Sequence, residues 1–303
     1  MTNSSPGDGE MPRRLPWWVR ALAKLPMSAL HSVASGIAWL NQHLLPHRSQ
    51  MVMAHLSMAF PEWSESQCKQ LRNRFYANYA DVLVEIIKSA TMSGEELDRR
   101  MRFANLELMQ QRLHEGSPVV LLAAHQCNWE WILLGLSRQL GYPVDAAYKP
   151  LRNPWADELM LTLRSRFGAR MIAAPKLLRD MVGRRRSPRL IALVADQEPV
   201  GSDRRHWTRF LNRDTAFFMG GDVIAQTLQY PTFFVAIERV ARGEYLASFE
   251  SLWMPGEALE PGELAERYAR RVERQIRNSP ADWPWSYKRW RLQRDVVTKE
   301  ASV

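Results

Sequence analysis

Two residues in the string AAHQCNWEW, at 123–131, have the types that move protons: His125 and Glu130. A carboxylate beside a histidine fixes the ring tautomer and stabilises the imidazolium that forms when the ring takes a proton. Such a pair can deprotonate a weak nucleophile such as a hydroxyl. Positions five apart diverge in direction within one helix, so the two meet only if His125 lies at or before the helix start. Spacing alone equally allows a capping histidine with a solvated glutamate. Cys127 lies between them. A thiol activated by a neighbouring base would give a covalent thioester hydrolase, and a small buried filler is the competing reading. His31, His43, His47 and His55 have no metal-ligand spacing.

The elements around this string must place it. SPVVLLAAH (117–125) is a short continuous apolar run, which reads as a buried strand. NWEWILLGLSRQLG (128–141) reads as a helix ending at Gly141. His125 then sits where a strand ends and Glu130 in the first turns of the helix, the place where open α/β sheets bind ligands. Further strands are expected at 144–149, 169–174, 189–196, 231–239 and 244–250. Helices are expected at 153–167, 176–186, 216–228 and 261–279. This alternation predicts an α/β fold with a mixed, largely parallel sheet flanked by helices, its last two strands forming an antiparallel edge pair. Asp196 ends one of the buried strands, where a site role and a cap are both open.

Upstream, 64–115 has helical spacing. Ser64 with Gln67 resembles a capping box, and Phe75, Tyr79, Val82, Leu83 and Ile86 recur as a core stripe. Residues 1–14 read as a loose polar tail. Residues 15–46 are apolar but interrupted by Arg20, Lys24 and Pro26, and the clean stretch Met27–Leu40 has 14 residues. A span needs about 20. An amphipathic helical hairpin lying on a membrane fits better. The expected organisation is a tail at 1–14, membrane-associating helices at 15–60 and a catalytic domain at 61–296.

The chain has 41 Lys plus Arg against 32 Asp plus Glu, a net charge of +9. That balance suits nucleic acid, an anionic membrane surface or an acidic protein. Nucleic acid is set aside, because no recognised binding motif is present and acids interrupt the basic stretch at 184–214. Twelve tryptophans suit a bilayer surface or a Trp-rich core. Cys68 and Cys127 make no disulfide framework.

The string H-Q-C-N-W-E resembles the H-x4-D/E signature of glycerolipid acyltransferases, in the branch holding the bacterial lipid A late acyltransferases. Tyr148-Lys149-Pro150 with Arg152-Asn153-Pro154, then Arg164 and Gly168, then Asp196-Gln197, are similar to that family's later blocks. So are Trp207, Phe210-Leu211, Gly220-Gly221 and Pro231. Pro280, Trp283, Trp285, Lys288, Arg289 and Trp290 resemble its closing signature. The likeness runs in order over roughly 115–292. It implies transfer of a fatty acyl group from an acyl thioester, on acyl carrier protein or acyl-CoA, to a hydroxyl of a membrane lipid. A lipid A precursor is the first candidate acceptor; an amino-acid lipid such as ornithine lipid, another glycolipid or a polyene lipid is the alternative. It further implies no metal or organic cofactor, and work at the cytoplasmic face of an inner membrane, peripherally or on a single anchor. By the same likeness His125 is the base and Glu130 its partner. Asn128, Tyr148, Lys149, Arg152, Arg164, Asp196 and Gln197 are the expected substrate contacts. Cys127, where the family commonly has glycine, Lys149, where it has arginine, and Glu198 depart from the pattern.

Overall fold

The computed structural model describes residues 15–44, 46–200 and 204–294; the tail expected at 1–14 lies outside them. The chain opens with α1 (Trp17–Lys24), α2 (Met27–Leu44), α3 (Pro46–Ala59) and α4 (Glu65–Lys88). Pro26 drives Leu25 into an extended conformation and so breaks α1 from α2. Ser64 and Gln67 close the expected capping box: the Gln67 N–H donates to Ser64 Oγ at 3.3 Å and the Ser64 N–H to Gln67 Oε1 at 2.8 Å. Phe75 and Val82 are buried as expected, but Leu83 faces solvent. Among the described residues no helix is long and apolar enough to cross a membrane.

The rest of the chain alternates as α5 (Gly94–Arg100), β1 (Met101–Phe103), α6 (Glu107–His114), β2 (Val119–Ala123), α7 (Trp129–Gln139), β3 (Val144–Tyr148), α8 (Pro154–Arg164) and β4 (Arg170–Ala173). Then follow α9 (Leu177–Gly183), β5 (Leu190–Val194), β6 (Arg205–Phe210), β7 (Arg213–Phe218), α10 (Gly220–Leu228), β8 (Thr232–Ala241), β9 (Glu244–Trp253) and α11 (Glu263–Asn278). Seven strands form one sheet in the order β1-β9-β8-β2-β5-β3-β4. β2 lies in the middle, buried at every position, which is why it reads as an unbroken apolar run. Alternate residues of the sheet feed two cores: Val120 and Leu122 face α4 and α11, while Val119, Leu121 and Ala123 face α6 and α7.

The sheet is parallel except for the β8–β9 pair. That antiparallel pair was expected at the edge; β1, three residues long, adds outside it, parallel to β9. The β6–β7 hairpin was also missed, and it claims residues expected to open the helix at 216. Its turn places Leu211 and Asn212 at φ 48° and 63°, a two-residue turn without the Asn-Gly signal that would mark it.

Several arginines of the basic stretch are structural. The Arg189 Nε–H donates to Asp145 Oδ2 at 2.8 Å with both side chains buried, and Arg184 joins the same carboxylate and Asp180. This cluster lies at the amino-terminal ends of β3 and β5, opposite His125. Breaking one partner of a buried pair leaves an uncompensated charge. Asp145→Ala should therefore lower the unfolding free energy by about 3–5 kcal/mol in urea titrations. A loss below about 1 kcal/mol, the worth of an exposed pair, would show the cluster to be peripheral to stability.

Candidate active site

β2 and β5 are neighbours in register, with Ala123 opposite Val194. His125 and Asp196 each follow two residues past those strand ends, so they emerge side by side. His125 Nδ1 lies 2.6 Å from Asp196 Oδ1, and the His125 backbone N–H donates to Asp196 Oδ2 at 3.1 Å. Trp283 Nε1–H donates to the same Oδ2 at 2.9 Å. Burial alone would raise the Asp196 carboxyl, but the facing His125 ring, Trp283 and the His125 N–H hold it below the usual carboxylate range. The ring is thus fixed through Nδ1. Nε2 points to the open side, with Gln197 Nε2 at 3.4 Å.

The expected partner of His125 is elsewhere engaged. Glu130 lies in the first turn of α7, and Arg164 grips it with two bonds, Nε–H to Oε2 at 2.8 Å and Nη2–H to Oε1 at 2.6 Å. Trp129 Nε1–H adds a third at 3.1 Å, and the Trp129 ring meets the His125 ring edge-on at 5.1 Å. Helix geometry gives the reason: from the first turn of α7 the Glu130 side chain is directed toward α8, while the strand end leaves His125 against β5. Glu130 borders the histidine through Trp129 and does not hydrogen-bond it. Desolvation lowers and the Glu130 charge raises the Arg164 guanidinium, the net being upward.

Other expected contacts divide by exposure. Asn128 is fully buried, and both ends of its amide are used inside the protein. Its Oδ1 accepts the Trp131 N–H at 3.1 Å as the α7 cap, and its Nδ2–H donates to Glu85 at 2.9 Å. The role expected for it at the substrate is replaced by one in shaping the loop. Glu85 also takes the Tyr245 hydroxyl at 2.7 Å and His31 Nε2 at 3.1 Å. Lys149, Arg152 and Gln197 are exposed, and Tyr148 half-buried, on loops at the His125 end of the sheet. Glu198 takes the N–H groups of Arg291 and Leu292 and so pins the C-terminal segment.

Cys127 faces inward, away from the reacting ring. Its thiol is buried with Sγ 3.8 Å from the Ile237 carbonyl, and burial pushes it well above the ordinary thiol value. Its φ is +48°, in the left-handed region that favours glycine, which accounts for a glycine being acceptable at that position.

The sequence matches the family model for bacterial lipid A biosynthesis acyltransferase over residues 16–292. The chain belongs to this family. Lipid A biosynthesis acyltransferase of Haemophilus influenzae is 26% identical over 189 residues, 62% of this chain and 58% of that protein. Lipid A biosynthesis acyltransferase 2 of Shigella flexneri is 25% identical over 39% of this chain and 37% of its own. Lipid A biosynthesis myristoyltransferase of Escherichia coli is 24% identical over 40% and 37% respectively. The chain therefore spans at most about three-fifths of the length of these curated relatives. Within this lipid A acyltransferase family fold, the strand-end acid Asp196 is the residue that spacing around His125 could not supply as its partner. Its signal was its offset from a buried strand, the same as that of His125.

The depressed Asp196 carboxyl has a consequence for acid stability. A folded value below the unfolded one means stabilisation that is complete above the ordinary carboxylate value, near 4, and lost as pH falls through the lower folded value. Asp196→Asn removes this dependence. Its urea midpoint should fall less steeply than that of the native chain between neutral pH and about pH 3. Parallel falls in both proteins would mean that Asp196 is not held in its charged form.

Proposed function

We propose that this chain is an O-acyltransferase that moves a fatty acyl group from an acyl thioester, carried by acyl carrier protein or coenzyme A, to a hydroxyl of a membrane lipid. A lipid A precursor is the acceptor that the family and the names of the relatives support. The site of action is the cytoplasmic face of an inner membrane, reached peripherally. The observation that carries the reading is His125 with Nδ1 locked on a buried carboxylate and Nε2 open beside an exposed polar loop.

The acceptor hydroxyl gives its proton to His125 Nε2 as its oxygen bonds to the thioester carbonyl carbon. Asp196 keeps the Nδ1–H tautomer and stabilises the imidazolium. The tetrahedral oxyanion draws on the N–H groups of the α7 first turn. The C–S bond then breaks, the carbonyl re-forms and the leaving thiolate takes the proton from Nε2. Glu130 and Arg164 act as one unit that sets Trp129 against the imidazole. Lys149, Arg152 and Gln197 line the approach, where guanidinium and ammonium groups suit the phosphates of an acceptor. Cys127 has no part in the transfer.

His125→Ala should abolish turnover in a folded protein. Asp196→Asn should lower kcat by about a hundred- to ten-thousandfold with donor KM nearly unchanged, through loss of tautomer control. Undiminished kcat in a folded Asp196→Asn would remove Asp196 from the mechanism. Glu130→Gln should both destabilise and slow the enzyme, because Arg164 loses its counter-charge, and Glu130→Asp should recover part of the activity.

Cys127→Gly separates transfer from the thiol route: most activity should remain. A loss above about a thousandfold would instead point to a covalent thiol. The acceptor itself is read by mass spectrometry of membrane lipids with and without the gene. A missing acyl chain on lipid A supports the proposal, and an unchanged lipid A with an altered amino-acid lipid or other glycolipid redirects it.

A further inference from the structure

The loop between β3 and α8 holds apolar side chains out into water. Leu151 is 46% and Trp155 45% exposed, and Lys149 and Arg152 beside them are exposed as well. The loop is built to stay that way. Leu151 N–H donates to Asp157 Oδ1 at 2.8 Å, and Asn153 Oδ1 caps α8 by accepting the N–H groups of Trp155 at 3.0 Å and Ala156 at 3.3 Å. Pro154 occupies the first turn. These bonds fix the backbone while leaving both large side chains outside.

The patch continues onto another helix. Trp155 meets Trp18 of α1 with ring centroids 5.7 Å apart, and Trp17 next to it is 81% exposed. Behind this surface Leu159, Met160 and Leu163 of α8 pack on Leu15, Val19 and Ala23 of α1, so the two helices form one platform. Lys24 is exposed at the far end of α1. Tryptophans and leucines ringed by cations are the composition that enters the interface of an anionic bilayer.

We propose that the 149–155 loop is a second bilayer-insertion element, entering an anionic lipid surface together with α1. This rests on the peripheral membrane reading but adds a residue-level contact to it. The other end of α8 carries Arg164, bonded to Glu130. α8 has 11 residues, about 16 Å of helix. It therefore ties the depth of insertion to the wall of the His125 site and sets the height at which a lipid headgroup meets Nε2.

The test uses the full chain and vesicles of phosphatidylethanolamine with phosphatidylglycerol. The double variant Leu151→Ser with Trp155→Ser should weaken vesicle binding by about tenfold or more, the worth of taking one large apolar side chain out of the bilayer. Its melting temperature should be unchanged, since both side chains are outside the core. An environment-sensitive fluorophore on Leu151→Cys should shift to the blue and be quenched by brominated lipid. Lys149→Gln with Arg152→Gln should weaken binding to these vesicles but not to phosphatidylcholine alone. Vesicle binding needs no acyl transfer, so a protein that binds this way yet transfers nothing would fail the functional proposal and keep this one. A label that stays in water on vesicle-bound protein, with binding lost only in Trp17→Ser with Trp18→Ser, would overturn the proposal. So would a dimer in solution that the Leu151→Ser with Trp155→Ser variant dissociates, because the patch would then face a second copy.

Discussion

A carboxylate with almost no exposed surface needs every oxygen satisfied, and Asp196 meets that need with the His125 ring, the His125 backbone and the Trp283 indole. The register of β2 with β5 brings both residues to one place, and the alternation of side chains across the sheet turns the two strand ends the same way. Tyr268 of α11 supports the strand behind them by donating its hydroxyl to the Ala123 carbonyl at 2.7 Å. The reacting ring is thus held by the centre of the sheet, the most rigid part of the molecule, and its free nitrogen alone is left to the loops.

Glu130 shows a second use of the same physics. It is a buried carboxylate at a helix N-terminus, where the helix dipole favours negative charge, and a two-bond arginine completes its neutralisation. The two acids near His125 therefore do different things. One fixes the tautomer from below; the other braces the aromatic wall from the side. Positive charge is divided in a similar way: Arg184 and Arg189 are committed to Asp145, while Lys149 and Arg152 stay in solvent at the site end.

Much of this was legible from residues alone. The fully buried β2, the α7 that follows it, and β3, β4, β5, β8 and β9 all announce themselves through apolar runs that end in turns or helix starts. Legibility failed where the signal was short or long-range. β1 is three residues, and β6 and β7 turn on Leu211-Asn212, which carries no conventional hairpin chemistry. The partner of His125 is 71 residues away in sequence. A local window finds Glu130 first, because pattern reading sees spacing along the chain and strand pairing creates proximity across it. Asn128 was misplaced at the substrate for a related reason: its cap on α7 was foreseeable, but Glu85, which takes the other end of its amide, lies in α4, far upstream.

The indole of Trp283 reaches Asp196 from the segment that follows α11. During synthesis, strands β2 and β5 leave the ribosome long before that segment does, so the growing chain carries its histidine and acid while the acid still lacks one of its three donors. A buried carboxylate short of a donor prefers to hold a proton. The base is tuned only when the last part of the fold docks, and a nascent chain meeting acyl thioesters in the meantime is a poor catalyst of their wasteful breakdown.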